Sequence, residues 1–311
     1  MPKTVLVNSN NEIFIGKQKY TVDNFDLYYS VLSGEKYNLK VKRYPGGKYK
    51  KTYCNLKSFK VPFPHAPLYR QVNYAQFLPE KEREKYLKEK EKEACRRSIE
   101  AVKDISRLNP DLLTFVTFTI DPKTLNSSSP SEVYAKLKNF LSNSVQTKGL
   151  KYVFTSEYHK KDAKIHFHGL VNDKLTLVDS GTFKVKGFKK PMRLAKIKRK
   201  GLEAQIECKV YNVKEWKLGF STAIKLENND KAVNYVTKYL LKELEDMEKK
   251  SYYPERPFER RYFSSKNIKR YPDIELHSVP YEEYRQLNVK EYENRYTDYK
   301  YKYIDNFTEK K

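Results

Sequence analysis

The sequence predicts an α+β fold: a central antiparallel sheet with flanking helices. Three observations predict it. Segments alternating with period two recur between residues 112 and 226. Stretches with apolar residues at helical spacing stand beside and between them. From residue 112 to 248 the order is strand, helix, strand, strand, insert, strand, helix. That order suits an antiparallel sheet with helices packed on it rather than a doubly wound one. At 311 residues the chain has room for one large or two modest domains. The expected division is a β-rich extension with a proline-rich connector (1–78), a main domain (79–250) and a tyrosine-rich charged tail (251–311).

In the extension, residues 3–7, 12–20 and 37–44 alternate, and Gly46-Gly47 reads as a turn. Pro62, Pro64 and Pro67 keep the connector irregular. From Pro79 a charged stretch runs to residue 108, with Ile99, Val102 and Ile105 at helical spacing. Its first half is polar all round, so it faces solvent or a charged ligand. Residues 112–120 form a strand with Val116, Phe118 and Ile120 on one face and Phe115, Thr117 and Thr119 on the other. Ser131 caps a helix through residue 144 whose apolar stripe is Val133, Leu137, Phe140 and Leu141. Residues 151–158 and 165–171 are strands, as are 204–213 and 220–226. Asn229 or Asp230 caps a helix over 231–249. The tail holds 11 of the 27 tyrosines among mixed charges and is expected to be helical.

With 63 Lys and Arg against 39 Asp and Glu, the formal net charge is +24. Self-repulsion of that size points first to nucleic acid and second to a membrane surface. No run approaches the roughly 20 apolar residues that span a bilayer, and residues 1–10 lack the order of a secretory signal. Cys54, Cys95 and Cys208 are far apart and form neither a zinc spacing nor a disulfide framework. The expectation is a cytoplasmic protein with reduced thiols and no membrane partner. Basic residues mixed with many tyrosines suit single-stranded nucleic acid, where bases can stack.

The chain has five histidines, and two of them flank one apolar residue in Ile165-His166-Phe167-His168. On a strand this places both imidazoles on one face, roughly 6–7 Å apart. A hairpin centred between Lys161 and Asp162 sets Glu157 opposite His166 and Thr155 opposite His168. One carboxylate and two imidazoles then converge, a set suited to a divalent ion such as Mn²⁺ or Mg²⁺. A one-residue shift of the turn makes His159 the alternative third ligand.

On the last helix, Tyr235, Lys238, Tyr239 and Lys242 cluster on one side. Val233, Val236, Leu240 and Leu244 lie on the other, facing the sheet, so the tyrosines are not expected in the core. A tyrosine hydroxyl can attack phosphorus and become linked to DNA. A divalent metal would polarise the phosphate, and Lys238 could stabilise the pentacoordinate state. The insert carries nine basic residues and no acidic one: Lys184, Lys186, Lys189, Lys190, Arg193, Lys196, Lys198, Arg199 and Lys200. With Lys242, these are the candidate phosphate-binding residues.

Taken together, these segments resemble the HUH-type single-strand endonucleases, most of all the rolling-circle replication initiators of small single-stranded DNA phages, plasmids and related integrated elements. Phe115-Val116-Thr117-Phe118-Thr119 resembles the family's first motif, Ile165-His166-Phe167-His168-Gly169-Leu170 the second, and Tyr235-Val236-Thr237-Lys238-Tyr239-Leu240 the third. Trp216-Lys217-Leu218-Gly219 resembles a Trp-Gly element that precedes the last helix. The resemblance spans about residues 96–242 and implies an antiparallel sheet related to the RNA-recognition and ferredoxin-like arrangements. It also implies a tyrosine that cleaves one strand of an origin, single-stranded or hairpin, keeps the 5′ phosphate and frees a 3′ hydroxyl. By position Tyr235 is the first nucleophile and Tyr239 resembles the second of two-tyrosine initiators. No phosphate loop is present, so a host helicase would unwind and a host polymerase extend, in a bacterial cytoplasm. A relaxase or transposase of the same fold, and a non-catalytic metal-containing nucleic-acid-binding protein, are the alternatives.

Overall fold

The computed structural model describes residues 4–7, 13–15, 18–20, 36–59, 79–121, 123–124, 129–159, 164–188, 190–249, 260–293 and 298–307. The proline connector at 62–67 and Lys189 lie outside these. The early strands are β1 (Thr4–Val7), β2 (Ile13–Ile15), β3 (Gln18–Tyr20), β4 (Leu39–Arg43) and β5 (Tyr49–Cys54). Then come α1 (Glu80–Leu108), β6 (Thr114–Ile120), α2 (Pro130–Lys148), β7 (Tyr152–His159), β8 (Lys164–Val171) and β9 (Leu177–Val185). β10 (Met192–Arg193), α3 (Leu194–Arg199), β11 (Ile206–Val213), β12 (Gly219–Lys225) and α4 (Asn229–Lys249) follow. The chain continues through β13 (Tyr262–Ser264), β14 (Asp273–His277), α5 (Tyr281–Gln286), β15 (Glu291–Glu293) and β16 (Lys300–Asp305). The fold is α+β, as the sequence predicts. It forms two compact units, Leu78–Ile268 and Met1–Phe77 with Lys269–Lys311.

In the unit Leu78–Ile268, one antiparallel sheet has the order β10-β9-β11-β12-β6-β8-β7-β13. Alternation along β6 sorts its residues as expected. Val116, Phe118 and Ile120 are buried with Val133, Leu137 and Leu141 of α2 and with Phe154, Phe167 and Trp216. Trp216 stacks on Phe118 at 4.3 Å and meets Phe140 edge-on, contacts worth about 0.5–1.5 kcal/mol beyond their area. Phe115, on the other face, packs with Cys95, Ile99, Val102 and Ile105 of α1 and Val236 and Leu240 of α4. The buried residues of α1 all lie from Cys95 onward; its first half is polar, as expected.

Two caps differ from expectation. Ser129, not Ser131, precedes α2, because Pro130 fits the first helical position. Asn228 caps α4, its side chain accepting the Lys231 N–H at 2.9 Å. The basic insert, expected as a loop or hairpin, pairs β10 antiparallel with the end of β9 and adds α3, around a small core of Val185, Met192 and Ile197.

In the other unit, the antiparallel sheet has the order β15-β16-β5-β4-β14-β1-β2-β3. Gly46 and Gly47, with φ of 71° and 70°, turn β4 into β5. Leu39, Val41 and Tyr53 pack with Tyr284 of α5. The helical tail is a misreading: among its described residues are β13 to β16 and only the six-residue α5. Lys300-Tyr301-Lys302-Tyr303-Ile304 alternates with period two, and aromatic and β-branched residues favour strands over helices. Among the described residues, no helix is long and apolar enough to cross a membrane.

Candidate active site

The β7–β8 hairpin has the register predicted for a turn centred between residues 161 and 162. Glu157 pairs with His166, and Thr155 with His168. On the other side of β8, Thr117 pairs with His168 and Thr119 with His166. Both imidazoles therefore rise on the face of the sheet that α1 and α4 cover. Thr117 Oγ1 lies 3.0 Å from His168 Nδ1, and Thr119 Oγ1 3.0 Å from His166 Nδ1. A hydroxyl donates or accepts, so each threonine supports either tautomer of its histidine. The two rings are nearly parallel, 6.1 Å apart. Gly169 follows because β7 is pressed close there: a Cβ would stand 2.5 Å from the Val153 carbonyl oxygen and 2.4 Å from the Phe154 ring. The side chain of His159, the alternative ligand, lies outside the described set.

Glu157 joins this row to α4. Its Oε2 accepts the Nε2–H of His168 at 3.2 Å, and its Oε1 accepts from Lys242 Nζ at 2.8 Å. Burial pushes the Glu157 carboxyl up, but the His168 and Lys242 hydrogen bonds outweigh it and hold the group at about 2. The Glu157 carboxyl is therefore ionised at neutral pH, its charge paired with the Lys242 ammonium.

The tyrosines of α4 are half-buried against the core, not turned away from it. The helix has two inward stripes because it packs on α1 and on the sheet at once. Val236 and Leu240 form one; Cys95 of α1 donates to the Leu240 carbonyl at 3.6 Å. Tyr235 and Tyr239 form the other. The Tyr239 ring stacks on the His168 imidazole, 3.6 Å between centroids and 5° between planes. Burial, then the nearby Glu157 carboxylate, pushes the Tyr239 phenol up to about 12. One turn earlier, Tyr235 meets Phe115 at 5.2 Å, and Phe115 in turn lies parallel to His168 at 6.3 Å. The Tyr235 hydroxyl accepts from Lys184 Nζ at 2.7 Å. Lys184 also stands over the Tyr235 ring and pairs with Glu207 at 2.9 Å. Burial works against the Lys184 ammonium, but the Tyr235 and Glu207 contacts prevail and raise its pKa.

The expected site residues divide accordingly. His166, His168, Glu157, Tyr239 and Lys242 form one contact chain, and Tyr235 adjoins it through Phe115. Lys184, expected on DNA phosphate, is on the tyrosine instead. Lys238 is exposed on α4. Lys186, Lys190, Arg193, Lys196, Lys198, Arg199 and Lys200 are all exposed around β10 and α3. Thr117, Thr119, Phe115 and Glu207 are the participants that sequence reasoning passed over. The alternation Phe115-Val116-Thr117-Phe118-Thr119 already put three of these on one face; Glu207 carried no such signal.

The donor chemistry fits a divalent ion, with an ionised carboxylate and two imidazoles whose Nδ1 atoms are held by threonines. The donors are nonetheless engaged with each other and with Lys242. Among the described residues, no group of three or more His, Cys, Asp or Glu is arranged to hold a metal. For His168 to ligate an ion through Nε2, that nitrogen would have to give up its proton and its contact with Glu157 Oε2.

Residues 113–244 match the family model described as Replication-associated protein ORF2/G2P. The matched span runs from the start of β6 into α4 and includes Glu157, both histidines and both tyrosines. No curated protein and no solved structure matches the chain. The family match supports a replication-initiator role for this protein.

Proposed function

We propose that the protein starts rolling-circle replication by nicking one strand of an origin and later rejoining it through a tyrosine–DNA linkage. One observation carries this reading: α4 lays Tyr239 directly on His168 and sets Tyr235 one ring away, beside a lysine. The Tyr235 oxygen attacks the phosphorus of the scissile phosphodiester and the bond to the 3′ oxygen breaks. The 5′ phosphate stays on Tyr235. The phenol proton passes to water, and the departing 3′ oxygen takes a proton from water to become a free hydroxyl.

The Lys184 ammonium holds the hydroxyl and favours the negative charge that develops there. Tyr239, its ring stacked on His168, is the candidate for the second transfer. Lys238, exposed on α4 three residues after Tyr235, is the candidate to stabilise the pentacoordinate phosphorus. His166, His168 and Glu157 would hold Mn²⁺ or Mg²⁺, which when bound neutralises charge on the scissile phosphate. The exposed basic residues around α3 grip flanking phosphates. Single-stranded or hairpin origin DNA is the substrate, and a host helicase and polymerase complete the process in the bacterial cytoplasm.

The test is incubation with single-stranded origin candidates and Mn²⁺, then denaturing electrophoresis and peptide mapping of any adduct. The expected result is a covalent complex at Tyr235, lost in Tyr235→Phe while DNA binding is kept. An adduct that persists at full yield in Tyr235→Phe refutes the assignment. Cleavage confined to transfer-origin or element-end sequences would identify a relaxase or transposase instead.

A further inference from the structure

The Trp216-Lys217-Leu218-Gly219 segment contributes nothing to the histidine and tyrosine cluster, yet it leads into an unusual residue. Phe220 is 70% exposed, more than any other large hydrophobic side chain among the described residues. A single exposed aromatic is ordinary; its position is what matters. Phe220 pairs with Thr119, and Thr119 pairs with His166. Directly opposed residues share a face, so Phe220, Thr119 and His166 form one row across β12, β6 and β8. With neighbouring strands about 4.8 Å apart, Phe220 stands about 10 Å from His166 along that row.

The covering helices stop short of it. On the same face of β12, Ile224 is buried with α1 and α4 residues, Thr222 is exposed, and Phe220 is more so. The ring is also held on a fixed support. Gly219 has φ 153°, and a Cβ there would come within 2.2 Å of the Thr119 carbonyl oxygen. The Asp121 N–H donates to the Leu218 carbonyl at 3.0 Å, and Trp216 Nε1–H to the Thr119 carbonyl at 3.4 Å. Trp216 is itself anchored in the core. This segment fastens the start of β12 to the end of β6 and so fixes Phe220 beside the histidines.

The geometry points to Phe220 as a base-stacking platform for single-stranded DNA next to the scissile phosphate. An exposed aromatic on a fixed backbone support offers a π surface that any base can use, and a chain of net charge +24 draws the strand's phosphates. This rests on the nicking reading for where the strand lies, but not on cleavage itself.

The test is equilibrium binding of a 20-nucleotide oligo-dT, chosen as a probe, in EDTA so that no nicking occurs. Phe220→Ala is expected to weaken binding about 5-fold or more while leaving its salt dependence unchanged, because no charge is removed. Phe220→Tyr should restore affinity. On an abasic strand of equal length, wild type and Phe220→Ala should bind alike. Because the side chain is exposed, the alanine variant is expected to fold; Phe220→Trp gives a second measure, its indole fluorescence quenched by oligo-dT and not by the abasic strand. Equal affinity of wild type and Phe220→Ala for oligo-dT, or an unquenched tryptophan at 220, would overturn the proposal. Failure to find a covalent adduct would instead overturn the nicking reading and leave these binding differences in place.

Discussion

The two faces of the sheet in Leu78–Ile268 are built from alternate residues of the same strands and put to opposite uses. Under α2, Phe118, Phe154, Phe167 and Trp216 make an apolar layer with no titratable group among its buried residues. Under α4, the alternate residues are Thr117, Thr119, His166, His168 and Glu157. One position along from Val116, Phe118, Ile165 and Phe167 stand Thr117, Thr119, His166 and His168 on the face under α4. The aromatic layer supplies the rigidity, and the polar row uses it to hold side chains at set distances. This arrangement predicts that changes on the α2 face act through stability, and changes on the α4 face through chemistry.

The largest expected effect is on the packed face. Phe118→Ala should destabilise the unit by about 3–5 kcal/mol in urea unfolding, since the side chain is fully buried and stacked on Trp216. Tyr235→Phe, which removes one hydroxyl from a half-buried site, should cost about 1 kcal/mol, although under the proposed function it is expected to abolish the adduct. If both changes cost the same stability, the division between the faces is wrong.

Thr117→Val probes the polar row at nearly constant shape. It removes the hydroxyl on His168 Nδ1, and loss of such an orienting partner weakens metal binding about 10- to 100-fold. Titration with Mn²⁺ followed by electron paramagnetic resonance reads this directly. Unaltered Mn²⁺ affinity with intact folding would mean that the histidines are not a metal site oriented by threonine.

The polar row was legible in the sequence because strand geometry has a period of two. Of the two registers the sequence leaves open, one sets Glu157 opposite His166, and that is the pairing found; alternation puts Phe115, Thr117 and Thr119 on one face of β6, but only the β6–β8 pairing brings the two threonines to the histidines. What escaped depends on contacts far apart in the chain. Lys184 reaches Tyr235 from a strand inside the basic insert, and the β9–β11 ladder that carries it has two register shifts. No local pattern separates it from the neighbouring lysines that stay exposed. The half-burial of Tyr235 and Tyr239 also follows from α4 packing on two elements, whereas a helical projection assigns only one buried side. The strands of the tail were hidden by mixed charge, which suits a helix surface as well as a sheet.

The smallest expected effect concerns Glu157 and separates the faces by pH. Its carboxyl is held at about 2 against an ordinary value of 4.5. A depressed carboxylate contributes stability that is present above the ordinary value and lost as pH falls through the folded one. Lys242→Met removes one of its two donors, so the folded value rises and the loss begins at higher pH. Lys242 is 66% exposed, so the difference from wild type at pH 7 should stay below about 1 kcal/mol. That difference should shrink below the ordinary carboxylate value and vanish only once the pH is below about 2, in urea unfolding followed across the range. The deficit of Phe118→Ala should stay constant over the same range, because neither the ring nor its buried neighbours titrate. A Lys242→Met deficit that ignores pH would place the lysine's contribution in something other than the Glu157 pair.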